Sequence, residues 1–237
     1  MRLSNAIAAA LVVLLLASGC ATLPPEEQRE ADFHHKMGIS YLNEGSLQMA
    51  FVEFQKALQI DPDNKEILNS LGIVYLQLDE YRQAQQLFLR AVSADDSYSE
   101  AYNNLGITYI RENNWDKAIE AFTRALSNPL YQTPERAFYN LGVSYYRQGR
   151  YDRAADAFKD SIKRAPSFAL PYYWLALSYN RQGRYGDAAA LLARAIETDT
   201  AYRGDREKFI DDVRERLITA KGADETDLRD YLEMMKY

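Results

Sequence analysis

From residue 31 onward the chain returns to one pattern every 34 residues. Five segments fall into register: 31–64, 65–98, 99–132, 135–168 and 169–202. Position eight holds Gly38, Gly72, Gly106, Gly142 and Ala176, and position eleven holds Tyr41, Tyr75, Tyr109, Tyr145 and Tyr179. Position twenty is Ala50, Ala84, Ala118, Ala154 and Ala188. Position twenty-four is Phe54, Phe88, Phe122, Phe158 and Leu192. Side chains four residues apart, such as Leu71 and Tyr75, lie on one helix face. Small residues at eight and twenty let two helices approach closely, and the aromatic rings then fill the seams. Pro62 and Pro166 punctuate the second helix of their segments, and Gly45, Gly149 and Gly183 occupy the turn between the helices. No segment of this kind buries its apolar face alone, so the repeats must stack.

A 34-residue period with these residue types resembles the tetratricopeptide (TPR) repeat. The resemblance implies an all-α solenoid, a right-handed superhelix of about five helix-turn-helix repeats. One spacing departs from the period: Gly106 to Gly142 is 36 residues. The excess falls in Asn128–Glu135, where Pro129 and Pro134 cannot continue a helix. A longer rigid corner is expected there, with Tyr131 exposed. Residues 203–237 predict C-terminal capping helices. Asp205 starts a helix with Phe209, Ile210, Val213 and Leu217 on one face. Asp224 is placed to cap a final helix carrying Leu228, Tyr231, Leu232 and Met235. That last stripe suits either folding back on the solenoid or binding a partner.

The chain's one cysteine stands at the end of an apolar run. Arg2 precedes twelve apolar residues, Ala6 to Ala17, followed by Ser18, Gly19 and Cys20. This is the order of a secretory signal, residues 1–19. Twelve residues rise about 18 Å, short of the ~30 Å hydrocarbon core of a bilayer. Ala17-Ser18-Gly19-Cys20 resembles the bacterial lipobox, with Ala17 where Leu is usual. That resemblance implies lipidation of Cys20, palmitate included, and a membrane anchor; the plainer alternative is an incidental small residue beside an ordinary cleavage site. Residues 20–30 would then be the lipidated Cys and a tether stiffened by Pro24-Pro25. Ala21, rather than Asp, after the Cys favours the outer membrane, with the domain facing the periplasm. A solenoid held by helix packing needs no disulfide there.

A formal charge of −6 and a pI near 5.1 argue against a general nucleic-acid binder. No phosphate loop, serine elbow or metal spacing occurs, so no enzyme, cofactor or small-molecule substrate is expected. His34 and His35 are adjacent and point about 100° apart on a helix, which disfavours chelation of one ion. A TPR resemblance places function on the concave face of the first helices. There the early repeats contribute Asp32, Glu66 and Glu100 with Asn69 and Asn103. The later ones contribute Arg111, Arg136, Tyr139, Tyr146, Arg147, Tyr173 and Arg181. A groove acidic and amide-rich at one end, basic and aromatic at the other, suits a protein partner. The alternative is a solvated face with ordinary charge variation.

A lipobox, a short tether and five TPRs resemble bacterial outer-membrane TPR lipoproteins. Among these, the plan resembles that of the type IV pilus biogenesis/stability (pilotin) family, PilF, PilW and Tgl. The segment NPLYQTPERAFYNLG is similar to the irregular join between middle repeats in that family. The resemblance implies a membrane-anchored scaffold that assists secretin assembly or stability, with a secretin subunit or pilus assembly protein as partner. NlpI-like adaptors, which recruit proteases or peptidoglycan hydrolases, share the plan. A regulatory subunit of an enzyme is a third expectation.

Overall fold

The computed structural model describes residues 23–237, and those residues fold entirely into helices and turns. Ten helices form five antiparallel pairs: α1 Pro25–Asn43 with α2 Leu47–Ile60, α3 Lys65–Gln77 with α4 Tyr81–Ala94, α5 Ser99–Arg111 with α6 Trp115–Ser127, α7 Pro134–Arg147 with α8 Tyr151–Arg164, and α9 Leu170–Arg181 with α10 Tyr185–Thr198. Two more follow, α11 Arg206–Leu217 and α12 Ala223–Met234. The expected all-α solenoid of five helix pairs is present. Cys20 and the apolar run before it lie outside the described residues. Among the described residues no helix is long and apolar enough to cross a membrane.

Each pair closes on one contact. Phe54, Phe88, Phe122 and Phe158 are fully buried, and each ring lies over the position-eight glycine of its own repeat. A Cβ on Gly142 would sit 2.5 Å from Phe158 Cε1, so a side chain there forces the ring or the backbone to shift. The fifth repeat carries Ala176 and the smaller Leu192 at these two positions, both buried in one cluster. Burying each ring contributes roughly 1.5–3 kcal/mol. The pairs turn at position fifteen, where the backbone is left-handed in all five repeats: Gly45, Asp79, Asn113, Gly149 and Gly183.

Three local features depart from the sequence expectations. First, α1 starts at Pro25, so residues 25–30 belong to the first repeat's helix and not to a tether. Proline lacks an N–H, but the first helical position needs none, and Glu26 and Glu27 sit at the positive end of the helix dipole.

Second, Tyr131 is buried at 8% exposure, packed with Ala137, Leu141 and Ala125. The irregular join is a tight turn: Asn128 Oδ1 accepts from the Leu130 amide at 2.9 Å, and the Asn128 carbonyl accepts from that of Tyr131 at 3.2 Å. The turn directs Leu130 outward, 78% exposed, and Tyr131 into the seam between the third and fourth repeats.

Third, Asp224 does not cap α12. Gly222 occupies the N-cap with φ +63°, and the Asp224 carboxylate turns instead to Arg147. Asp205 does cap α11, accepting from the Lys208 amide. Phe209 and Val213 of α11 are buried as expected, whereas on α12 the wholly buried methionine is Met234 and Met235 is only partly covered.

Candidate functional site

Consecutive first helices touch one another, α1 to α3, α3 to α5, α5 to α7 and α7 to α9. Consecutive second helices do not. The row of first helices is therefore the inside of the curve, and positions two, five, nine, twelve and thirteen face it.

In the first three repeats this face is amide-rich. Asn104 Nδ2 donates to Asn69 Oδ1 at 2.9 Å, tying α5 to α3. Asn103, the position-five residue of the third repeat, is 9% exposed, and its Oδ1 has no hydrogen-bond partner. A buried carbonyl left unpaired is costly, so it is an acceptor suited to an incoming N–H. At the first repeat His35 Nε2 lies 2.9 Å from Ser70 Oγ, and its ring tilts against Phe54. Burial pulls the His35 pKa below its ordinary value, against the opposing pull of Glu66 and Asp32. His34 faces the other way, its Nδ1 2.6 Å from Glu53 Oε2. Among the described residues no group of three or more potential metal ligands comes together.

The basic end has a different character, because α12 lies across it. Asp227 accepts from the Tyr146 hydroxyl at 2.6 Å and from Arg147 Nη1 at 2.8 Å, with Arg181 Nη2 at 3.4 Å. Asp224 accepts from Arg147 Nη2 at 2.6 Å, and Asp230 pairs with Arg181 at 2.8 Å. Asp224, Asp227 and Asp230 fall at i, i+3 and i+6, one helix face. Burial, then the bond to Asp227, raises the Tyr146 phenol above its usual range. Burial likewise raises the Asp230 carboxyl, although Arg181 opposes it. Tyr173 stacks on Phe209 with centroids 5.7 Å apart and meets the edge of Tyr231 at 5.9 Å. Arg147 lies over the Trp174 ring at 5.0 Å. Beneath α11 and α12 a cavity of about 390 Å³ remains, lined by Tyr173, Trp174, Leu177, Tyr202, Phe209 and Tyr231 among others.

Tyr146, Arg147, Tyr173 and Arg181 are thus brought together, but against the chain's own end. Tyr139 packs between Phe158 and Phe168, with centroids 6.2 and 5.4 Å away. Arg111 and Arg136 stand exposed, and neither forms an ion pair among the described residues. What the sequence reading missed is the acidic triplet of α12. Its three-residue spacing is visible in the sequence, but nothing in that spacing specifies the complement on α7 and α9, up to 81 residues away.

The "Tetratricopeptide repeat" family matches residues 69–137 and 139–205, and the related "TPR repeat" family matches residues 38–79. The chain belongs to the tetratricopeptide repeat family, a scaffold for protein–protein interaction. PilF of Pseudomonas aeruginosa superposes with a TM-score of 0.70 at 18% identity, covering 89% of this chain and 99% of that one. PilW, described as a widely conserved type IV pilus biogenesis factor, gives 0.68 at 21% identity over 85% and 98%. MamA gives 0.61 at 28% identity over 68% and 94%. The two pilus factors share the fold at identities too low to carry more than that. No protein of curated function matches the sequence.

Proposed function

We propose that the chain is a bacterial lipoprotein, anchored through Cys20 to the outer membrane and facing the periplasm, whose groove docks a protein needed for type IV pilus biogenesis. A secretin subunit is the favoured partner. The observation that carries the docking role is the unsatisfied strip on the inner face. Asn103 Oδ1 has no partner, and Arg111 and Arg136 stand exposed without an ion pair. An extended peptide supplies the N–H groups and carboxylates that these side chains accept and fork onto. Support for the pilus role is the order of a lipobox-like segment and five repeats, with two pilus proteins among the similar folds.

Three measurements test the parts separately. Cys20→Ser should move the protein from the membrane to the soluble fraction; persistence in membranes rejects the anchor. Deleting the gene should abolish secretin multimers and pili, and intact pili reject the pilus role. A photo-crosslinker at Asn103 or Arg111 should trap a defined protein in cells. Trapping none there, with crosslinkers on the outer second helices as control, rejects the docking surface.

A further inference from the structure

We infer that α12 is a built-in, displaceable occupant of the groove's basic end, and that the surface beneath it takes the acidic face of a partner's amphipathic helix. This rests on the groove as a protein-docking surface and adds how that surface is gated and what chemistry it accepts.

Charge complementarity is the first argument. Three carboxylates on one face of α12 meet Arg147, Arg181 and the Tyr146 hydroxyl, all carried by first helices of the solenoid. A helix with acids at this spacing is therefore what the site is shaped to hold, whichever chain supplies it.

Packing is the second. Within each of the first four repeats the helix pair closes on a fully buried phenylalanine. Beside α12 a half-open cleft of about 390 Å³ remains, and of the apolar side chains of α12 Leu228 and Met234 are buried while Tyr231, Leu232 and Met235 are partly covered. A cleft lacks the dispersion contacts that packed side chains would make there, so the polar pairs contribute much of the attachment of α12.

Connection is the third. Ile218 to Gly222 joins α12 to α11; Ile218 is 82% exposed, Gly222 has φ +63°, and α11 has its own anchor on α9 in the Phe209–Tyr173 stack. Twelve residues form a marginal helix in isolation, so released α12 regains chain entropy. Opening without a substitute strips Arg147 and Arg181 of their partners, whereas exchange for another acidic helix keeps every buried charge paired. Occupancy by α12 thus discriminates against partners lacking that face.

The test uses the full chain and a fluorescent peptide of residues 220–237 as probe. In hydrogen exchange, α12 amides of the unmodified protein should exchange at least tenfold faster than those of α9. The variant Asp224→Asn/Asp227→Asn/Asp230→Asn should bind the peptide at least tenfold more tightly than the unmodified chain. Adding Arg147→Gln/Arg181→Gln should remove that binding. Should the triple variant fail to fold, Asp224→Asn alone, which alters one exposed contact to Arg147, should still give a gain of about threefold. Exchange of α12 and α9 as one unit overturns the proposal, as does a folded variant that binds no better. These readouts need no cellular partner: crosslinks at Asn103 with a fixed α12 reject the gate alone, and a mobile α12 without crosslinks rejects the docking role alone.

Discussion

The Tyr146 hydroxyl donates to Asp227 Oδ1 across 2.6 Å, although the two residues stand 81 positions apart. This bond closes the end of the chain onto its fourth repeat, and the same carboxylate takes Arg147 and Arg181. Tyr146→Phe removes one hydrogen bond to a charged acceptor, worth about 1.5–3 kcal/mol of α12 docking. Asp227→Ala goes further: removing one partner of a buried pair costs about 3–5 kcal/mol. The loss is capped by what α12 contributes, because the helix is free to leave. Asp227→Ala should therefore release α12, with a red shift of Trp174 emission and a far-UV circular dichroism loss of one short helix.

A second prediction concerns the glycine under the ring. Gly142→Ala places a Cβ 2.5 Å from Phe158 Cε1, and a fully buried ring has nowhere to swing. Overpacking costs about 1–3 kcal/mol, against roughly 0.5–1 kcal/mol gained from alanine's helix preference. Urea unfolding should show a net loss of about 1–2 kcal/mol. Adding Phe158→Leu copies the Ala176–Leu192 pair of the fifth repeat. The double variant should then lose less than the sum of the singles by more than about 1 kcal/mol.

That pairing was legible in the sequence because a repeat is a local object. Gly142 and Phe158 stand sixteen positions apart, and the same spacing recurs in every copy. Tyr131 was not legible: its burial depends on a turn built by Asn128, and proline content announces a corner without saying which side chain it turns inward. Pro25 misled for a related reason, since proline both breaks helices and starts them. Spacing within the repeats puts Tyr146, Arg147, Tyr173 and Arg181 on the groove face, and in the structure α11 and α12 lie against them. Their partners lie on α11 and α12, up to 81 residues away along the chain, and no periodicity within a repeat specifies such a pairing.

The pH dependence follows from His35. Its ring is half-buried between Ser70 and Phe54, and burial lowers its pKa below the model-peptide value of 6.5. The folded state thus binds fewer protons than the unfolded chain. Stability supplied by the neutral ring is complete above pH 6.5 and is lost as pH falls through the depressed folded value. His35→Gln keeps a hydrogen-bonding group toward Ser70 but cannot titrate. Its melting temperature should fall less than that of the unmodified protein between about pH 7.5 and 5. Parallel curves would show that His35 contributes nothing to the slope.

The turn at position fifteen offers the converse test, a gain in stability. Asn113 sits at φ +56° where three other repeats use glycine at φ +73° to +76°. Left-handed backbone costs an L-residue roughly 1–2 kcal/mol, less for asparagine, and glycine avoids it while giving up more chain entropy. Asn113→Gly should therefore raise the unfolding free energy by about 0.5 kcal/mol. Gly149→Ala runs the comparison in reverse: nothing lies within 4 Å of the added Cβ, so no clash contributes and backbone strain outweighs the smaller chain entropy of alanine. It should lose about 1 kcal/mol in urea unfolding. If both substitutions were neutral, the left-handed turn would not be what selects the residue at this position.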